Sequence, residues 1–237
     1  MALSQPAVWA IHFDQPLPYA AAQAMQERIL AARIANTIPD TVLLLQHTPV
    51  VTLGRRGRNQ HMLVDENALR NQGIDLVTST RGGDVTYHGP GQLVLYPIVS
   101  VNDLTVGANG YLSMLESLAI RTLDQFGLVG TRREGMAGAW LDQGKVAAIG
   151  FRLKRWVSYH GMSLNVDVDL GGFDQIVGCG LVGELVTSMQ LVLGETCPSI
   201  EAVRSAMTTQ FGELVGREVE VFDAGTAPPL LRALLDE

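Results

Sequence analysis

Two scarce residue types in this chain could do covalent chemistry. Of its 17 basic residues only Lys145 and Lys154 are lysines, and it has two cysteines, Cys179 and Cys197. Arginine stays charged under all ordinary conditions, whereas a desolvated lysine can give and take a proton. Lys145 opens the apolar run GKVAAIGFRL (144–153). Read as a strand, this run points Lys145 the same way as Ala147, Ile149 and Phe151, where loss of water favours the neutral amine and suits it to work as a base or beside a thiolate. A strand-end lysine reaching back to water is the simpler account of Lys145 alone. Cys179 lies in IVGCGLVGE (176–184). Glycines on both sides fit a nucleophile on a tight turn close to backbone N–H groups, and fit an inert loop cysteine equally well. Cys197, just before a proline in GETCPS, reads as structural.

The Gly-rich passage RGGDVTYHGPGQ (81–92) is the other candidate. Its glycines let the backbone approach a ligand and aim N–H groups at it. If residues 83–88 are extended, Asp84, Thr86 and His88 share one face and Val85 and Tyr87 the other. With Arg81, His88 and Gln92 added, a pocket wall is favoured over a plain hairpin. His160, in SYHGMSLN, could equally be a satisfied core histidine, and His12, His47 and His61 have no evident partners in sequence. Several chemistries are missing. There is no G-x-S-x-G elbow, no H-E-x-x-H and no Cys/His cluster with zinc spacing. GAWLDQGKV (138–146) misses the phosphate-loop spacing, and HGPGQLV has Val94 where a dinucleotide fingerprint needs its third glycine.

These residues need elements to carry them. Strands are expected over 7–13, 41–46, 50–54, 74–80, 93–99, 138–141, 145–153, 156–166 and 217–222, with a hairpin near Lys154-Arg155. Helices are expected over 19–34, starting after Pro18, over 65–72, over 109–126 with Gly127 as C-cap, and within 198–215, before a tail that could be helical. Strands outnumber helices and many adjoin directly, which favours an α+β fold with antiparallel pairing over a doubly wound sheet. One main domain spanning 1–237 is expected, with a small C-terminal appendage after about residue 197 as an option.

Composition sets the outer limits. Hydrophobic residues are 47% and charged residues 17%, below the usual ~25% charged share and incompatible with intrinsic disorder. No apolar run reaches the ~18 residues of a membrane span, and MALSQPAVWAIHFDQPLP lacks the basic region of a secretory signal. Two cysteines make no disulfide scaffold, so a reduced cytoplasm is expected. A net charge of −7 argues against nucleic-acid binding through a general basic field.

Taken together, RGGDVTYHGPGQLVLYPI (81–98), GKVAAIGFRL (144–153), HGMSLNV (160–166) and GCG (178–180) resemble the signature blocks of the LipB family of octanoyl-acyl carrier protein:protein octanoyltransferases. The order and spacing match, including the 34 residues from Lys145 to Cys179, and the resemblance covers roughly residues 7–195. It implies the α+β fold of biotin- and lipoate-protein ligases, a mixed, largely antiparallel sheet with flanking helices. It also implies transfer of an octanoyl group from octanoyl-acyl carrier protein to a lysine of lipoyl domains, in 2-oxoacid dehydrogenase complexes and the glycine cleavage H protein, with no metal, cofactor or ATP. Carried over by position, Cys179 is the acyl-thioester nucleophile and Lys145 its partner. Arg81, Gly82, Gly83, Asp84, Val85, Thr86, Tyr87 and His88 are the first acyl-site segment. Ala148, Ile149 and Gly150 are the second, and His160, Gly161, Met162 and Ser163 the third. The rivals are an ATP-dependent ligase on the same fold, a non-catalytic module that holds acyl carrier protein, and an amidotransferase between lipoyl domains.

Overall fold

The structure is a computed structural model that describes residues 6–57, 61–177 and 185–236. Strands β1 (Val8–His12), β2 (Thr41–Leu45), β6 (Gln92–Ile98), β7 (Thr131–Arg133), β8 (Met136–Leu141), β9 (Gly144–Lys154), β10 (Val157–Asn165) and β11 (Val219–Asp223) form one sheet in the order β11-β1-β2-β6-β10-β9-β8-β7. The β11–β1 and β1–β2 pairs are parallel and the others antiparallel. A smaller sheet, β4-β3-β5, joins β3 (Val50–Leu53) to β4 (Asp75–Thr78) in parallel and to β5 (Val85–His88) antiparallel. The expected α+β architecture is present.

The central strands are apolar on both sides because helices cover both faces. Leu43 and Leu45 of β2, with Val94 and Tyr96 of β6, pack against α1 (Tyr19–Ile34) and α6 (Pro229–Asp236). Val42 and Leu44, with Leu93 and Leu95, pack against α3 (Gly107–Asp124) and α5 (Ile200–Val215). That is why these segments read as continuous apolar runs rather than alternating ones. A third apolar cluster sits between the small sheet and the 3-10 turn Leu170–Gln175.

Local sequence places the ends of most elements. Helix α1 starts after Pro18, which has no N–H to lose. Asp65 caps α2 (Glu66–Asn71), accepting from Ala68 N at 2.8 Å. The helix expected at 109–126 runs 107–124, and Gly127 adopts φ +74° beyond its end. The β9–β10 hairpin turns on Arg155 and Trp156, one residue later than expected, and both have positive φ (51° and 62°). This is the two-residue turn whose twist matches a right-twisted ribbon. Strand β7, the 3-10 turn and α4 (Met189–Leu193) were not foreseen, since each is too short to carry a periodicity.

Residues after 197 are woven into this frame. Phe211 of α5 is fully buried against the main sheet, and β11 pairs along the whole of β1. Phe211→Ala should therefore lower the stability of the entire chain by about 3–5 kcal/mol. Chemical denaturation should show one transition shifted as a whole; an unmoved main transition with a separate early one would show that 198–237 folds apart.

Candidate functional site

The sheet's register decides where Lys145 points. Trp140 of β8 pairs with Lys145, while Ala139 pairs with Ala147, so Val146 is an extra residue on β9. This β-bulge puts both Val146 and Ala147 into the core under α3 and turns Lys145 onto the other face, beside Trp140. The expected grouping of Lys145 with Ala147, Ile149 and Phe151 is thus corrected: simple alternation fails across a bulge. Lys145 is half-buried in a cavity of about 350 Å³, with Nζ 5.5 Å from the Trp140 ring centre. Phe173, Leu170, Ile176, Leu63 and Leu185 give that cavity its apolar walls, and none was named from sequence. They lie in loops and turns, where apolar residues carry no periodic signal.

The backbone of Lys145 anchors the chain that returns from the cysteine-bearing segment. Lys145 N donates to Leu185 O at 2.8 Å, and Thr187 N donates to Lys145 O at 3.0 Å. On the entering side, Val177 N donates to His61 O at 2.8 Å, and Ile176 bridges Met62. Cys179 and Gly180 lie outside the described residues.

The three acyl-site segments expected from sequence converge. A smaller cavity of about 40 Å³ is bordered by Thr86 and His88 from β5, Ala148, Ile149 and Gly150 from β9, and residues 160–163 from β10, with Arg81 and Gly83 at one side. It adjoins the larger cavity at Thr86, Ala148 and Ser163, which border both. Val85 and Tyr87 point the other way, into the third apolar cluster, as alternation requires. A Cβ on Gly82 would lie 2.8 Å from Phe151 O, and one on Gly150 2.8 Å from Gly82 O. The loop therefore lies directly on β9, and only glycine permits that approach. Asp84 is turned from the cavity: its Oδ1 accepts from Val85 N at 2.8 Å and its Oδ2 lies 2.6 Å from His61 Nδ1.

Arg81 is almost wholly buried and fastens the loop. Its Nε donates to Thr52 Oγ1 (3.0 Å), Nη2 to Thr52 O (2.6 Å) and Nη1 to Gly82 O (3.0 Å). Behind it runs a buried polar chain. Arg81 N donates to Ser79 Oγ (3.1 Å), whose hydroxyl meets Tyr19 (2.7 Å), and Tyr19 in turn hydrogen-bonds Tyr96. Tyr96 donates to His47 Nε2 (2.7 Å), and His47 Nδ1 donates to Leu17 O (2.9 Å). His47 and His61, which looked partnerless in sequence, are both tied to the site; their partners are 30 or more residues from His47 and 23 from His61, beyond any local pattern.

On the cavity side, His88 Nδ1 lies 2.5 Å from Gln92 Oε1, Gln92 Nε2 donates to Asn165 Oδ1 (2.8 Å), and Asn165 Nδ2 donates to Thr187 O (2.9 Å). His160 adopts φ +55°; its N donates to Gln26 Oε1 (2.7 Å), and its Nε2 lies 3.0 Å from Thr80 Oγ1. Burial depresses these imidazoles: His47 to about 4, His160 to about 3 with help from Arg81 and Arg152, and His88 well below its usual range. All three are neutral at pH 7. Among the described residues no group of three or more His, Cys, Asp or Glu could hold a metal ion, and no helix is long and apolar enough to cross a membrane.

Known proteins resemble this chain over most of its length. The model of the lipoyl protein ligase A/B catalytic domain matches residues 18–212. The octanoyltransferase of Chloroflexus aurantiacus is 41% identical over 214 residues, covering 89% of this chain and 96% of that protein. The octanoyltransferase of Syntrophotalea carbinolica is 41% identical over 199 residues, 84% and 90% respectively. Among solved structures, lipoate-protein ligase A bound with ATP superposes with a TM-score of 0.77 at 15% identity, covering 98% of this chain and 92% of that one. A bi-partite lipoate protein ligase of Thermoplasma acidophilum, described with its E2 lipoyl domain, gives 0.76 at 15% identity, with 98% and 91% covered.

The depressed histidines have a consequence for stability. Unfolded, His47 and His160 protonate below pH ~6.5; folded, they resist until about 4 and about 3. The unfolded chain then holds more protons, so their contribution is intact above pH ~6.5 and is lost as pH falls toward 4, at about 1.4 kcal/mol per pH unit for each ring. Denaturation curves between pH 7 and 5 should fall steeply, and His47→Gln should flatten the slope by one such share. An equal slope in that variant would mean His47 is charged or exposed.

Proposed function

The chain belongs to the lipoyl protein ligase A/B catalytic-domain family, and on that premise we propose that it is an octanoyltransferase that passes an octanoyl group through a Cys179 thioester to a lysine of a lipoyl domain. The observation that carries this reading is the placement of Lys145. Its side chain enters a cavity walled by residues from both flanks of the cysteine-bearing segment, Ile176 on one side and Leu185 and Val186 on the other. Cys179 follows Ile176 by three residues, a reach of at most about 10 Å.

The chemistry balances without an energy source. A free thiol has a pKa near ~8.5, and a neighbouring ammonium favours the thiolate. The Cys179 thiolate attacks the donor thioester carbonyl, the carbon–sulfur bond to the donor breaks, and the Lys145 ammonium gives its proton to the leaving thiolate. The acceptor amine then attacks the Cys179 thioester, the second carbon–sulfur bond breaks, and Lys145, now neutral, takes the amine's proton. The ammonium–thiolate pair is regenerated. Arginine could serve the first half and not the second. Each attack builds an oxyanion, for which N–H groups of Cys179 or Gly180 and of the 148–150 stretch are the donors in this reading. The apolar walls of the larger cavity suit an eight-carbon chain, and the Gly82–Gly150 contact closes the small cavity beside it.

The donor in this reading is octanoyl-acyl carrier protein, the acceptors are lipoyl domains of 2-oxoacid dehydrogenase complexes and the glycine cleavage H protein, and the reaction is cytoplasmic. Both partner classes are acidic in this family, so a chain of net charge −7 must meet them through local basic patches. Arg55 and Arg56 are exposed beside the Gly-rich loop, and Lys154 and Arg155 at the β9–β10 turn.

Incubation with octanoyl-acyl carrier protein, without ATP, should add one octanoyl mass to the chain, absent in Cys179→Ser. Lys145→Arg should keep part of that acylation and lose at least about a hundredfold in transfer to the lipoyl domain. Full turnover by Lys145→Arg, or acylation that survives Cys179→Ser, would discard the mechanism. At low salt, Arg56→Glu should raise KM for the carrier protein several-fold with kcat little changed; an unmoved KM would remove that patch from the docking surface.

A further inference from the structure

The two amides behind His88 have a direction that one backbone atom dictates. Thr187 O can only accept, so the Asn165 atom 2.9 Å from it is the donor Nδ2. Asn165 Oδ1 therefore faces Gln92 and accepts from its Nε2 at 2.8 Å. The same Nε2 is 3.3 Å from Tyr87 O, a second atom that only accepts, so the Gln92 amide is set from two sides. Gln92 Oε1 is what remains for His88 Nδ1, at 2.5 Å, and an amide oxygen requires the hydrogen to be on the ring. His88, Gln92 and Asn165 are all buried.

We propose that Gln92 and Asn165 are positioning residues that hold His88 as its Nδ1–H tautomer, so that its Nε2 lone pair faces the cavity as a hydrogen-bond acceptor for an N–H of the incoming lysine amine. Which nitrogen of a neutral imidazole carries the hydrogen is set by the partner of the other, and here that partner is chosen three residues away. A histidine kept neutral by burial has little affinity for the proton itself, so it orients the amine and leaves proton removal to Lys145. The relay also ends on the peptide that anchors the lysine: Thr187, whose carbonyl receives Asn165, donates its N–H to Lys145 O at 3.0 Å. One backbone unit thus sets both the acceptor histidine and the strand that carries the proton-transfer group. The tautomer follows from the hydrogen bonds alone; the identity of the amine rests on the octanoyl-transfer reading.

The test is nitrogen NMR of the full-length protein labelled at its imidazoles, with His88 assigned by the signal lost in His88→Phe. His88 should show a hydrogen-bearing Nδ1 and an unprotonated Nε2. Asn165→Asp keeps an acceptor for Gln92 and should keep this pattern, whereas Gln92→Met, of similar size, should move His88 toward the Nε2–H form. In steady state Gln92→Met should lower kcat for transfer to the lipoyl domain about tenfold, the ratio carried by one lost hydrogen bond, with KM for the donor unchanged. An Nε2–H pattern in the unmodified protein overturns the proposal whether or not Gln92→Met folds, and so does an unchanged tautomer in that variant. Octanoyl loading of Cys179 is read separately by mass, so failure of the relay and failure of the transfer reading give different results.

Discussion

The site depends on one extra residue in a strand. Without the bulge at Val146, Lys145 would follow the alternation of β9 into the largely apolar core under α3. Burial of an uncompensated ammonium there costs several kcal/mol, enough to remove a large part of a domain's stability. With the bulge, the apolar residues Val146 and Ala147 fill the core, and the cation reaches a cavity faced by the Trp140 ring. The same turn of the strand directs its peptide groups to Leu185 and Thr187, so the returning chain is sewn to the residue it must serve.

The main sheet leaves few places for chemistry. Helices cover both faces, and the cavity that holds Lys145 lies where the small sheet takes over from them. There, β5 lays its polar residues against β9 and β10, with the Gly-rich loop pressed onto Phe151 and Gly150. Backbone approaches of this kind leave no room for side chains, which explains why the segment is dense in glycine. Arg81 offsets the looseness of so many glycines by bonding Thr52 and Gly82 at once, and the chain through Ser79, Tyr19, Tyr96 and His47 carries that fastening to Leu17 at the start of α1.

Polarity around the cavities is divided by depth. The outer walls are apolar, from Phe173, Leu170 and Leu185, and suit a fatty chain. The inner layer is a set of neutral histidines, tyrosines and amides whose hydrogen bonds are nearly all internal. Burial keeps the imidazoles uncharged, and the nearby charges of Arg81 and Arg152 act in the same direction on His160. A neutral layer bonded mostly within itself gives fixed donors and acceptors without a competing charge.

Much of this was present in the chain itself. The apolar runs at 41–46 and 93–99, the helix after Pro18 and the polar-in, apolar-out alternation of Thr86, His88, Val85 and Tyr87 follow from short-range preferences that act on neighbours, and the resemblance of the signature blocks pointed to the family and to Lys145, Arg81 and His88. What local pattern could not contain was decided by contacts between distant residues. The bulge at Val146 exists because the pairing of β8 with β9 slips by one residue between Ala139 and Trp140, and no feature of VAA announces it. The direction of Asn165 comes from a carbonyl 22 residues away, and the partner of His61 is a carboxylate on another element. Sequence sets what a residue can donate, accept or bury; only packing in three dimensions sets which atom it meets.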